Sequence, residues 1–185
     1  MSKPAERLAD YSHLLSAPPH LIAELIAGVL HTQPRPAPRH ARAGSSLGVC
    51  LGGPFDHGRD GPGGWWILDE PECHLGADVL VPDLAGWRRS RMPELPDAAW
   101  FELAPDWVCE VLSPCTARHD RVRKLPIYAR HGVGYLWLVD PDQLTLEAYR
   151  LSDGHWLLLT SHAEDDVVRA APFEAVEFDL GKLWA

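Results

Sequence analysis

Apolar residues along this chain fall mostly into short runs rather than long helical stripes. Runs rich in β-branched and aromatic residues, such as Trp65-Trp66-Ile67-Leu68 and Trp107-Val108-Cys109, are the mark of strands covered on both faces. On that basis strands are predicted at 65–68, around His74-Leu75, at 79–87 and at 107–112. A second group follows at 135–139, 144–151 and 156–160. It is punctuated by Asp140-Pro141-Asp142 and Asp153-Gly154, which predicts an antiparallel meander. Helical spacing is rarer. Leu8, Tyr11, Leu14 and Leu15 predict a helix over 5–16 that Pro18-Pro19 stops, and a small-residue helix is expected over about 40–51. Residues 116–130 predict a further helix, kinked or restarted at Pro126, which has no backbone N–H to donate. Residues 21–33 stay open between a helix and two strands turning near Gly28. Strand, helix and strand in the middle of the chain, flanked by hairpins, give the α/β class with a mixed sheet flanked by helices.

Two acidic residues break this pattern. Asp83 lies inside Val79-Leu80-Val81-Pro82-Asp83-Leu84-Ala85, and Glu110 inside Trp107-Val108-Cys109-Glu110-Val111-Leu112. A carboxylate in a strand covered on both faces costs several kcal/mol unless something pairs with it. Lying 27 residues apart, they leave the chain room to exit a sheet and return as a neighbouring strand. Two converging carboxylates suit Mg²⁺ or Mn²⁺, which take oxygen ligands and complete their shell with water or phosphate. The plainer alternative is that each acid caps a strand end or pairs with an arginine.

A length of 185 residues predicts one domain spanning 1–185, with eight Trp and 46% apolar residues to fill a core. The first residues lack the apolar stretch of a signal peptide, and no run is long enough for a membrane span, so a cytoplasmic protein without membrane contact is expected. Cys50, Cys73, Cys109 and Cys115 form no CxxC pair, which argues against a zinc knuckle or a disulfide frame.

A net charge of −9 argues against coating nucleic acid by bulk electrostatics, yet the positive charges are clustered. Arg35, Arg39 and Arg42 form one group, and Arg88, Arg89 and Arg91 a second. The third holds Arg118, Arg121, Arg123, Lys124 and Arg130, and the last two groups follow the segments that carry Asp83 and Glu110. Of the three lysines only Lys124 is internal, set in the helix after Glu110. A compact ammonium there would hold a water or a phosphate oxygen; alternatively it pairs with Asp120 one helical turn earlier on an exposed face. Ten histidines include no HExxH, Ser113 is not in a GxSxG turn, and His40 and His74 are expected to be structural or peripheral. Trp65, Trp66, Trp87, Trp107 and Trp137 are assigned to the core.

The segment Asp106-Trp107-Val108-Cys109-Glu110-Val111-Leu112-Ser113-Pro114-Cys115-Thr116, followed by Asp120, Lys124 and Tyr128 and by Gly132-Val133-Gly134-Tyr135-Leu136-Trp137-Leu138-Val139-Asp140-Pro141, resembles a bacterial family of restriction-endonuclease-like proteins of unknown function. That family falls in the PD-(D/E)xK nuclease superfamily. The resemblance extends back through Pro82-Asp83-Leu84-Ala85-Gly86-Trp87, Glu70-Pro71-Glu72 and the stretch 24–28, nearly the whole chain. It implies a restriction-endonuclease-like fold in which Asp83 and Glu110 bind the metal and Glu24 is an additional acid, and it favours the hairpin over 21–33. It also implies a nuclease using Mg²⁺ or Mn²⁺ on nucleic acid, DNA foremost, and by analogy a homodimer able to cut both strands. The chain departs at the third motif position, where Glu110-Val111-Leu112 stands in place of ExK. The resemblance then requires a lysine displaced to the next helix, Lys124, folding back toward the acids. The competing reading is a nuclease-like fold kept as a catalytically inactive binding or regulatory module.

Overall fold

The computed structural model describes residues 8–185. Two sheets carry the molecule. A small one is built from β1 (Leu21–Ile26), β2 (Val29–Pro34), β4 (Cys73–Leu75) and β5 (Asp78–Leu80) in the order β2-β1-β5-β4. The larger has six strands in the order β10-β9-β8-β7-β6-β3. These are β3 (Trp65–Asp69), β6 (Leu84–Arg88), β7 (Trp107–Val111), β8 (Tyr135–Asp140), β9 (Thr145–Ser152) and β10 (His155–Ala163). Only β7 and β8 run parallel, and the helical crossover between them is what makes the sheet mixed.

The open choice over 21–33 resolves as a hairpin. Ala27 and Gly28 sit at φ of +51° and +72°, the pair of positive values that a tight two-residue turn demands. The Asp78 carboxylate pins the turn by accepting the Ala27 N–H at 2.7 Å, while its other oxygen takes Arg130 at 2.6 Å. A β-branched side chain pays a steric penalty in this left-handed region, so Gly28→Val is expected to lose about 1–2 kcal/mol in urea unfolding. The same turn chemistry recurs at Asp153-Gly154, with φ of +49° and +78°, between β9 and β10.

The stretch 79–87, expected as one strand, is two. Pro82 cannot donate to a ladder, and the chain bends there, leaving the small sheet after β5 and entering the large one at β6. Asp83 therefore occupies the bend and not a buried strand, with its side chain 19% exposed. Glu110 does lie within a buried strand.

The large sheet is covered on both faces. On one side Trp107, Cys109 and Val111 pack under Ala43, Leu47 and Leu51 of α2 (Pro38–Leu51) and against Phe173, Leu180 and Leu183 near the C-terminus. On the other, Val108, Leu112, Leu136 and Leu138 meet Ile127 and Tyr128 of α4 (Leu125–Arg130). Trp65, Trp87, Trp107 and Trp137 are buried as expected, and Trp66 is half-buried. Gly86 suits this packing, because a Cβ there would stand 3.1–3.3 Å from Ile67, Trp107 and Trp65, closer than ordinary van der Waals contact.

A short helix, α1 (Tyr11–Leu15), capped by Asp10, lies at the start; residues 5–7 of the expected helix fall outside the described residues. The helix expected over 116–130 begins as α3 (Ala117–His119) and passes through a wide π-helical turn, Asp120–Lys124, before α4. In that turn the Leu125 N–H reaches the Asp120 carbonyl five residues back. The widening stands immediately before Pro126, where an ordinary turn would bring the proline ring against the carbonyl four residues earlier. Among the described residues no helix is long and apolar enough to cross a membrane.

Candidate active site

The bend at Pro82-Asp83 brings elements of both sheets to one place. Glu24 from β1, Asp83, Glu110 from β7 and Asp120 from the wide turn line a single cavity of about 500 Å³, with His40 and His119 beside them. All four residues singled out from the sequence, Glu24, Asp83, Glu110 and Lys124, meet here. Lys124 does fold back from its helix. Its Nζ lies 2.8 Å from Glu110 Oε1 and 2.9 Å from Oε2, 3.0 Å from Glu24 Oε1 and 3.4 Å from the Val81 carbonyl oxygen. Asp120 is an i,i+4 partner at 3.8 Å, but on a buried face, since Lys124 is only 1% exposed.

The backbone is held by the same groups. Glu24 Oε1 accepts the Val81 N–H at 2.9 Å, and Asp83 Oδ2 accepts the Val111 N–H at 2.7 Å. These bonds satisfy donors that the strand break leaves without ladder partners. Asp83 Oδ1 lies 3.4 Å from His40 Nε2, and Glu24 Oε2 lies 3.6 Å from His119 Nε2. Tyr128 donates its hydroxyl to Glu110 Oε1 at 2.6 Å.

Sequence reasoning assigned no role at the site to Asp120, Tyr128 or His119. The signal was present in part: Asp120, Lys124 and Tyr128 recur at intervals of four, so they share one helix face.

One lysine cannot balance this many acids. Burial pushes the Lys124 ammonium toward neutrality, but Glu110, Glu24, Asp120 and Asp83 outweigh it and hold its pKa well above the ordinary value. Burial works against the Glu24 carboxylate too, yet Lys124, His119 and the Val81 N–H bring its pKa down to about 2. Glu110 goes the other way. Burial raises it well above the ordinary range; Lys124 pulls it down, and Asp120, Asp83 and Glu24 push it further up. Asp120 is raised by burial as well. Burial also opposes the charged form of His40, and the Asp83 carboxylate more than offsets it, so the ring titrates above its usual value.

The Glu24 shift has a stability consequence. Its folded pKa is depressed, so its contribution is present above the ordinary value of 4.5 and is lost as pH falls toward about 2. The shift corresponds to about 3 kcal/mol. Glu24→Gln is expected to flatten that acid limb when urea midpoints are followed downward from pH 5.

The donor set suits a hard divalent cation: carboxylate oxygens under-supplied with positive charge at an accessible cavity. Among the described residues no three His, Cys, Asp or Glu side chains already stand in ion-holding geometry. The Lys124 ammonium occupies the space between Glu24 and Glu110.

A family model described as "Putative restriction endonuclease", Uma2, matches residues 8–181. The chain belongs to the Uma2 family. Its fold is also that of a solved structure described as a "putative nuclease belonging to DUF820 from Anabaena variabilis ATCC 29413". The TM-score is 0.75 at 24% identity, covering 95% of this chain and 97% of that one. No curated protein matches the chain. In this Uma2 member, Lys124 reaches Glu110 and Glu24 from the helical segment that follows β7.

Proposed function

We propose that this protein hydrolyses phosphodiester bonds in nucleic acid, DNA foremost, with Mg²⁺ or Mn²⁺ held by Asp83 and Glu110. The observation that carries the reading is the convergence of four carboxyl groups on one buried lysine at an open cavity, an oxygen-rich set that a divalent ion would draw into the ionised form. When bound, the ion supplies Lewis-acid charge against the phosphate oxygens.

The protein's own groups do the rest. Glu24, ionised and bound to the Val81 N–H, holds the Lys124 ammonium between itself and Glu110. A lysine that gives up one Glu110 oxygen gains a proton donor to turn toward a phosphate, where it would stabilise the charge that develops on cleavage. Tyr128 keeps Glu110 in position through its hydroxyl. The arginines flanking the cavity walls, Arg39 beside His40 and Arg118 beside His119, are exposed and fit the role of backbone contacts.

Calorimetric titration of Mn²⁺ and Mg²⁺ into wild type, Asp83→Ala and Glu110→Ala tests the shared site without a choice of substrate. Binding is expected in the wild type and in neither variant. Cleavage assays on DNA and RNA follow, with Asp83→Ala as the control; no metal-dependent cleavage of either would remove the catalytic reading.

One observation favours a second reading, a binding module without turnover: the Lys124 ammonium already has Glu24, Glu110 and the Val81 carbonyl as partners. That reading expects metal-independent, salt-sensitive nucleic-acid binding that survives loss of Asp83 and Glu110.

A further inference from the structure

The two edges of the large sheet are treated differently. At the β3 edge, side chains take up backbone groups: Asp56 accepts the Ile67 N–H at 3.3 Å, and Arg89 Nε donates to the Trp65 carbonyl at 3.0 Å. Such coverage blunts an edge against pairing with another strand. The β10 edge has none of it. Among the described residues, the outward backbone groups of His155 to His162 meet no partner, and only Ala163, at the strand end, is tied to Asp166.

The side chains point the same way. Leu157, Leu158 and Leu159 stand in succession at 48%, 48% and 37% exposure. Three exposed leucines in a row, on an edge whose one protection is the bulge at Leu159, are a liability in a lone protomer unless something covers them. Nothing in His155–Ala163 defends the edge by charge or proline: the strand contains no Asp, Glu, Lys, Arg or Pro.

We infer that β10 pairs antiparallel with β10 of a second copy, joining the two six-stranded sheets into one across a two-fold axis. Self-pairing is the arrangement that this composition permits best, because a two-fold sets the strand against itself and any charge near the axis would face its own copy. The contact is isologous, so it closes at two copies, and the covered β3 edge leaves no second site for growth. At ~3.4 Å per residue the nine-residue strand is roughly 30 Å long. With side-chain layers on both faces it presents roughly 600 Å² per protomer, so the pair clears the ~1,000 Å² total of a specific interface. The bulge at Leu159 leaves that residue without an opposite number on β9.

This arrangement has a geometric consequence, which rests on the nuclease reading above. Glu110 on β7 lies three strand spacings from β10 in each copy, and a seventh spacing crosses the axis. At ~4.8 Å each, the two sites stand roughly 34 Å apart across the sheet. One turn of duplex DNA is ~34 Å.

Sedimentation equilibrium of the full chain is expected to give twice the protomer mass of 20.5 kDa at micromolar concentration. Leu157→Lys/Leu159→Lys is expected to give a monomer with unchanged circular dichroism. Leu157→Thr/Leu159→Thr, which keeps strand propensity, is expected to weaken association at least ~10-fold. Hydrogen exchange at the β10 amides should be slow in wild type and fast in the lysine variant. A monomeric wild type overturns the inference, whether β10 exchanges fast or is protected by another segment such as residues 1–7. A lysine variant that remains dimeric overturns it as well. On supercoiled duplex, the dimer is expected to cut both strands and the monomeric variant to nick. A dimer that cleaves nothing would end the nuclease reading and leave the interface standing.

Discussion

Replacing Lys124 with methionine is expected to lower stability by about 3–5 kcal/mol, the cost of removing one partner from a buried ion cluster, and to abolish cleavage. The size follows from what the ammonium leaves behind. Glu24 and Glu110 are each 2% exposed and Asp120 3%, so three carboxyl groups would face one another with no cation and little water. Arginine does not restore the wild type, because a planar guanidinium does not fit the fully enclosed space of an ammonium that contacts Glu24 Oε1 and both Glu110 oxygens. Lys124→Met combined with Glu24→Gln removes one of the stranded charges and should recover part of the lost stability in urea unfolding, with no return of cleavage. Full stability in Lys124→Met alone would mean that the lysine is not the counter-charge of this cluster.

Asp83→Asn is expected to separate function from fold. Asp83 sits at the bend between β5 and β6 with its side chain 19% exposed, and its structural duty is to accept the Val111 N–H at 2.7 Å. An amide oxygen can accept that bond, so stability should stay within about 1 kcal/mol of wild type. The amide is a poor ligand for a divalent ion, and metal-dependent cleavage should fall at least ~100-fold. Urea unfolding and initial cleavage rates on the same preparation test both halves. Loss of fold and activity together would make Asp83 a structural cap and weaken its assignment as a ligand.

Asp83, Glu110 and Lys124 were visible in the sequence because two acids and a lone internal lysine stand out against apolar runs, whereas Glu24 came only through the family resemblance. Their arrangement was less visible. The run 79–87 looks continuous by composition, and only Pro82 hints that the chain changes sheets there; the break depends on tertiary partners, Glu24 and Asp83, that cap the strand ends. Spacing by four placed Lys124 on the face of Asp120 and Tyr128 without saying whether that face met solvent or the acids. The hairpin over 21–33 was undecidable by periodicity because Leu21 to Leu30 fit either pattern, and the positive φ at Ala27 left no mark in composition. The C-terminal stretch gave no periodic signal, since β11 (Val167–Val168) and β12 (Phe178–Asp179) have two residues each, yet Phe173, Leu180 and Leu183 complete one core.

Glu24 belongs to the small sheet and Glu110 to the large one, and Lys124 contacts both. The cluster is thus a property of the seam and not of either sheet. If the hairpin of β1 and β2 lifts away while the six-stranded sheet stays intact, Lys124 loses its orienting partner and the cavity loses a wall. Activity should then fade in denaturant before the tryptophan core unfolds, making loss of cleavage an early sensor of the hairpin letting go.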